Sequence, residues 1–211
     1  MDDTLSSQHD ASQPMSLRER KKRLAQATIE EAALRLFQQK GYEQTSIQDI
    51  ADAVMMSTRT FFRYFASKEE VLFAPMYAIQ SQGLHFLERV APTESAHAAL
   101  KATFEYLASL YQQQRASLLT RYHVVMQTIS ISSIYLHALI AIEPAMCDAL
   151  CSRLEAGTSR HEICLLVAIY MAALRVALLE WLEQEAQGDL VASLLKDLDA
   201  LSSLSFSSGS R

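Results

Sequence analysis

The sequence predicts an all-α protein, and three observations carry that expectation. Glycine and proline are scarce, five and four among 211 residues, so long stretches run without a breaker. Ala, Leu, Glu, Gln and Arg, all good helix formers, dominate the rest. Apolar residues recur three and four positions apart, with Ser, Thr or Asp standing just before several of these runs as N-cap signals. At 50% hydrophobic residues the chain can bury the core of one large or two small domains.

Residues 1–15 are acidic and polar, without an apolar segment, and read as a disordered arm rather than a signal peptide. Helix one is expected over about 17–40. Ile29, Ala33, Leu36 and Phe37 line its apolar face, Gly41 ends it, and its start, Arg18-Glu19-Arg20-Lys21-Lys22-Arg23, is a dense basic cluster. Ile47, Ile50, Ala51 and Val54 then repeat at i, i+3, i+4, i+7, with Ser46 as cap and Asp49 in the first turn. Met55-Met56 make a brief connection, and Ser57 caps a second short helix over 58–64. One side of that helix offers Thr58, Arg59, Thr60 and Arg63, the other Phe61, Phe62 and Phe65. Two short helices about a tight turn, the second carrying Arg and Thr among aromatics, have the layout of a helix-turn-helix, here about 46–65.

Ser67 and Glu70 suggest a capping box for a fourth helix running to about 90. A break at Ala91-Pro92-Thr93 precedes helices over about 94–113 and 116–127, and residues 128–131 are a β-branched, Ser-rich interruption. The next helix, about 132–156, contains Pro144, which should kink it or split it near Glu143. After Gly157-Thr158-Ser159, a second Ser-x-x-Glu box (Ser159, Glu162) starts a helix to about 187 that is apolar nearly all round and so needs partners on every side. Asp189 caps a last helix to about 204, with Leu190, Leu194, Leu198 and Leu201 at near-heptad spacing, and 205–211 read as a frayed tail. No apolar run reaches the ~18 residues of a membrane span, so no membrane partner is expected. Three cysteines without an export signal fit a reducing cytoplasm.

The net charge of −5 is unevenly distributed. Residues 16–68 carry +4, residues 1–15 carry −3 and residues 69–211 carry −6. A basic small domain on an acidic body is the asymmetry of a protein that meets phosphate at one end only. No Gly-rich phosphate loop, nucleophile elbow or zinc-deaminase signature is present, so neither a catalytic residue nor a cofactor is expected. An architectural DNA protein would not need the long acidic body, and a protein-binding adaptor would not need Arg59, Arg63 and Lys68 on one reader.

From Arg20 to Leu72 the chain resembles the DNA-binding domain of TetR-family (TetR/AcrR) bacterial transcriptional regulators. The resemblance rests on Ala32-Ala33-Leu34-Arg35-Leu36-Phe37, Gly41-Tyr42, Thr45-Ser46-Ile47, Ile50-Ala51, Ser57, Thr60-Phe61-Phe62-Arg63-Tyr64-Phe65, Ser67-Lys68 and Leu72. One departure is Met55, where the family usually has Gly; a left-handed backbone there would cost about 1–2 kcal/mol. The resemblance implies an N-terminal three-helix reader over 16–72 joined to a larger helical regulatory and dimerisation domain over 73–205. It implies a homodimer through its last two helices, an inverted-repeat operator in double-stranded DNA, and release by a small apolar or amphipathic effector. Arg59 would meet base edges, with Thr58, Thr60 and Arg63 beside it. Tyr64 and Lys68 match positions that clamp the backbone, Thr45 and Ser46 stand at a helix start that suits phosphate, and Arg18 and Lys22 would reach the flanking backbone. In the body, Tyr106, Tyr122, His123, Met126, Tyr135, His137 and Arg175 are polar-tipped or adaptable groups amid apolar neighbours and are candidates for the effector site. Arg175 is a lone charge in an apolar run that needs a partner, with Glu180 in reach of the same helix at i+5. Cys147 and Cys151, at i, i+4, leave open a redox- or metal-responsive regulator, although that spacing suits a disulfide poorly.

Overall fold

Several of the helices begin where short polar side chains take up the free N–H groups of a first turn. The computed structural model describes residues 16–90, 95–152 and 159–203. These form α1 (Leu17–Lys40), α2 (Ile47–Ala53), α3 (Thr58–Phe61), α4 (Lys68–Arg89), α5 (Ala96–Gln113), α6 (Arg115–Met126), α7 (Ile129–Ile140), α8 (Glu143–Cys151), α9 (Arg160–Glu183) and α10 (Leu190–Ser203). The arm at 1–15, the break at 91–93, the Gly157-Thr158 part of the next break and the tail at 205–211 lie outside the described residues.

Ser46 and Asp49 close a reciprocal box on α2, and Ser16 with Glu19 does the same on α1. The Asp189 carboxylate accepts from the Val191 and Ala192 N–H groups to open α10. Two expected boxes are not formed. Ser67 does accept from the Glu70 N–H, but the Glu70 carboxylate turns back to the Ala66 N–H instead of completing the box. Ser159 makes no side-chain cap, and α9 is tied at its start by Arg160 on Asp148 of α8, 2.6 Å away.

Helix lengths differ from expectation where a local turn intervenes. The reader helix α3 is one turn, followed by turns through Tyr64. The interruption at 128–131 reduces to Thr128, extended at φ −130° and bonded through its hydroxyl to the Val124 carbonyl, and α7 starts at once. Pro144 does not sit inside a helix. It splits the predicted one and occupies the first turn of α8, where its missing N–H leaves no gap. The α9 helix ends early because Glu185 and Ala186 both take positive φ, 58° and 54°, and the Ala186 N–H returns to the Trp181 carbonyl at 2.7 Å.

The buried core is continuous from Ile29, Ile50, Phe61 and Leu72 at one end to Phe104, Tyr170 and Trp181 at the other. The α4 helix joins them, packing against α1 at its start and α5, α7 and α8 further along, while α9 lies among α5, α8 and α10. One strip of α9 is left uncovered: Leu165 is 55%, Ile169 40% and Val176 43% exposed. The sequence expectation on apolar runs is corrected here. α9, at 24 residues and mean hydropathy 2.2, and residues 129–151 are long and apolar enough to cross a membrane by length and composition, because isolated charges such as Arg175 interrupt the run without lowering its average below that of a span.

Candidate nucleic-acid interface and the cavity behind it

The reader is built on three buried side chains, Ile50 and Ala51 from α2 and Phe61 from α3, with Phe65 closing the far side. Phe62, expected on the same apolar side, stands 54% exposed edge-on to Phe61, because the one-turn helix carries it past the core. Between α2 and α3, Met55 takes the left-handed conformation at φ 53°. Its side chain is 96% exposed, so the turn keeps its shape and the cost is backbone strain alone.

That turn presents the α3 polar side outward. Arg59 is exposed and makes no ion pair or hydrogen bond among the described residues, while Thr58 and Thr60 are half-buried, the Thr60 hydroxyl 2.9 Å from that of Ser57. Arg63 lies over the Tyr64 ring, 5.0 Å from its centroid, and donates to its hydroxyl at 3.1 Å. Arg18 and Lys22 of α1 line one open groove with Arg63 and Tyr64. Four residues from two separate stretches of sequence thus form one basic, aromatic-walled surface.

Three other expected contacts are placed differently. Thr45 is 1% exposed and donates to the Gly41 carbonyl at 2.8 Å, so it holds the α1–α2 turn and does not face outward. Lys68 donates to the carbonyls of Tyr42 and Thr45, at 3.0 and 3.2 Å, with its ammonium 4.2 Å above the Tyr42 ring. It braces that turn, leaving one N–H for anything else. The Ser46 hydroxyl is engaged by Asp49, whose carboxylate is held well below the usual aspartate range, first by the hydrogen bond from Lys40 and then by Ser46.

Behind the reader, in the helical body, two cavities lie back to back. One, of about 20 Å³, is walled by Phe73, Met76, Leu118, Arg121, Tyr122 and Tyr135 among others, and the second, of about 10 Å³, by Gln80, Leu139, Ile142, Met171 and Arg175 among others. Tyr111 and Leu178 line both. Burial raises the phenol pKa of both Tyr111 and Tyr135, so these are neutral groups. Of the seven expected effector residues, Tyr122, Tyr135 and Arg175 meet these cavities. The other four do not. Tyr106 stacks on Phe86 at 4.6 Å over a separate open groove. His123 is turned out to Glu185, 3.3 Å away. Met126 is 50% exposed at the end of α6, and His137 is on the outer side of α7. Each lies about one helical step from a lining residue, and helix phase decides which side it faces. Arg175 makes no pair with Glu180; i+5 places the two on different sides of α9.

The residue that joins cavity to reader is Arg121, which sequence reading passed over. It is 6% exposed. Its guanidinium donates to Glu30 of α1 at 2.6 Å, to the carbonyls of Val71 and Leu72 of α4 at 2.6 and 2.9 Å, and to Ser117 at 3.2 Å. The Val71 carbonyl is available because Pro75, four residues on within α4, has no N–H to offer it. Burial raises the Glu30 pKa more than Arg121 lowers it, and burial likewise lowers that of Arg121. The signal was present in the sequence as a single charge on the face of α6 formed by Leu118, Tyr122 and Val125. The three cysteines gather at the α8–α9 contact. Cys147 is buried there, and its thiol is pushed up to about 12 by burial and by a hydrogen bond with Cys164, which leaves little thiolate for redox or metal chemistry. Among the described residues no group of three or more His, Cys, Asp or Glu is arranged to hold a metal ion.

Residues 29–74 match the family model described as bacterial regulatory proteins, tetR family. Over 88 residues the chain is 43% identical to the HTH-type transcriptional regulator TcmR of Streptomyces glaucescens, covering 42% of this chain and 39% of that one. Over 44 residues it is 52% identical to the uncharacterized HTH-type transcriptional regulator YuxN of Bacillus subtilis (strain 168), 21% of this chain and 15% of that one. The matches therefore span well under half of these relatives' length. The fold as a whole is similar to that of the transcriptional regulator FadR from Bacillus subtilis, solved in complex with stearoyl-CoA, with a TM-score of 0.55 at 18% identity over 84% of this chain and 97% of that one. With its capped α2, its left-handed turn and its short reader helix in place, residues 29–74 match the bacterial regulatory proteins of the tetR family, and the helical body shares the fold of regulators of that kind.

Proposed function

We propose that this chain is a cytoplasmic, sequence-specific DNA-binding transcriptional regulator, a homodimeric repressor that leaves an inverted-repeat operator when a small apolar or amphipathic molecule enters the body. Residues 16–72 act as the reader and 73–205 as the sensing and dimerising part, and no catalytic step is assigned to it. Arg59 reads base edges, with Arg63, Tyr64, Arg18 and Lys22 on the backbone. The exposed strip of Leu165, Ile169 and Val176 on α9 is the face that a second copy covers. The single observation that carries release by a ligand is Arg121. One side chain lines the cavity and also holds Glu30 of α1, the helix whose start bears the basic groove. A molecule filling the cavity changes the seat of Arg121 and, through it, the position of the reader. Dimeric readers must match half-sites about 34–36 Å apart, so a shift of a few ångströms is enough to lower affinity.

The test is selection of a binding site from random duplexes, followed by measurement of operator affinity with and without cavity-filling compounds found by thermal shift. A palindromic site and loss of affinity with such compounds are expected. An operator that stays fully bound with every stabilising compound overturns release by a ligand, and the absence of any preferred duplex overturns sequence-specific reading.

A further inference from the structure

Two arginines line the cavities, and they differ in one respect. Arg121 has a partner for every nitrogen of its guanidinium, while Arg175 has no ion pair and no hydrogen bond among the described residues. Arg175 is nonetheless half-buried on α9, walled by Leu139, Ile142, Met171 and Leu174. A guanidinium is always charged and carries five donors in a planar fork that suits an oxyanion. No buried side-chain nitrogen among the described residues lacks a partner, so the Arg175 donors reach solvent and stand free for a ligand at the mouth of an apolar space.

The groups beside it complete a polar end. Gln80 is buried on α4 and is fixed by its amide N–H bonds to the Ala138 and Leu139 carbonyls, at 2.8 and 3.3 Å. Tyr111 shares the cavity wall and its hydroxyl makes no hydrogen bond among the described residues. Beyond Tyr111 and Leu178 the first cavity is apolar except for the engaged Arg121 and the tyrosine hydroxyls. The charge is thus at one end, the apolar lining continues away from it, and the far wall touches the clasp on α1.

We propose that the effector is an amphiphile with an anionic oxygen head, a carboxylate or a phosphate monoester, on an apolar body, and that Arg175 receives the head. This rests on the reading of the cavities as the effector site. The head pairs with the Arg175 fork beside Gln80 and Tyr111, and the body enters by parting the apolar side chains past Leu178 toward Arg121, since the space there is only about 20 and 10 Å³ in this structure. Anionic charge serves twice: it satisfies Arg175, and it sets which way round the molecule lies, so that the apolar end arrives at the wall that holds the reader.

The experiment uses the whole 211-residue chain and three twelve-carbon probes at low, unaggregated concentration: dodecanoate, dodecyl phosphate and dodecanol. Affinities are measured by calorimetry on the wild type, Arg175→Gln and Arg175→Lys, with thermal melts to show that each variant is folded. At least one anionic probe should bind the wild type about tenfold or more tightly than dodecanol. That ratio should fall to about one in Arg175→Gln by loss of anion affinity alone, and should be partly kept in Arg175→Lys. The tighter of the two anions identifies the head group. Equal affinity for the alcohol and both anions, an anion preference that survives Arg175→Gln, or binding of none of the three overturns the proposal. Operator release is read separately. An anion that binds through Arg175 but leaves the operator complex intact retains the anion site and removes the reading of release by a ligand.

Discussion

Replacing Arg121 with methionine removes a cation with four hydrogen bonds and keeps most of the apolar stem. What stays behind is the cost. The Glu30 side chain is 23% exposed, so its carboxylate is left largely out of water and unpaired. The Val71 carbonyl has no helical donor to fall back on because position 75 is proline. Removing one partner of a buried pair costs about 3–5 kcal/mol. Partial access of Glu30 to solvent places the value near the lower end, about 3 kcal/mol, or a fall in Tm of about 6–12 °C for a chain of this length. Because burial already works against both charges, the apolar double change Arg121→Met with Glu30→Leu should recover most of that loss. The assay is a thermal melt followed by circular dichroism at 222 nm on wild type, both single variants and the double, completing a double-mutant cycle. The double variant should fold well yet bind the selected operator with an affinity that ligand no longer lowers. A single variant that melts within about 1 °C of the wild type, or a double variant that still releases DNA on ligand addition, refutes the reasoning.

Arg59→Ala should cost about 1–3 kcal/mol on the selected operator and relax preference at one base position; binding competition against single-base variants of the site would expose an error as a uniform loss. Val176→Glu, on the uncovered strip of α9, should yield a 23.6 kDa monomer by sedimentation, and a variant that stays dimeric moves the interface elsewhere. Met55→Gly should remove about 1–2 kcal/mol of left-handed strain against about 0.5–1 kcal/mol of added chain entropy, a small net gain in chemical denaturation; a net loss would show that the turn is not strained. The Asp49 carboxylate has its pKa lowered by Lys40 and Ser46, so its contribution is present above the usual aspartate range and is lost progressively as pH falls from that range toward its own lowered value. Asp49→Asn should therefore flatten the stability profile below about pH 4 while lowering the plateau at neutral pH, and an unchanged acid limb would contradict this.

Much of the reader was legible in the sequence because it is local. Ser46, Asp49, Gly41 and Ser57 act within four residues of themselves, and the i, i+3, i+4 repeat in α2 specifies its buried face directly. What was missed is non-local or depends on helix phase. Glu30 and Arg121 are 91 residues apart in sequence. Thr45 was read by its position at a helix start, whereas its side chain turns inward to Gly41. The sequence places Lys68 as a backbone clamp, and only the packed turn shows the two carbonyls to which it also donates. In the body, Tyr122 and His123 are adjacent, yet one lines the cavity and the other points to solvent, a choice settled by which side of α6 meets α4.

Pro75 has a consequence for how the molecule assembles. A helix that contains proline lacks one of its own rungs, and in α4 the missing rung is made good by a side chain 50 residues further along the chain. The opening turns of α4 therefore reach their full stability only after α6 has docked, and α6 docks onto a surface that includes those turns. Folding of the reader and of the body is coupled at this point, and local opening should spread across it instead of stopping at a domain boundary. A fragment that ends before α6 keeps every residue proposed to face DNA but loses the support that α6 gives to α4 and α1. It should show fast amide exchange at the start of α4 and bind the operator more weakly than its surface chemistry alone would suggest.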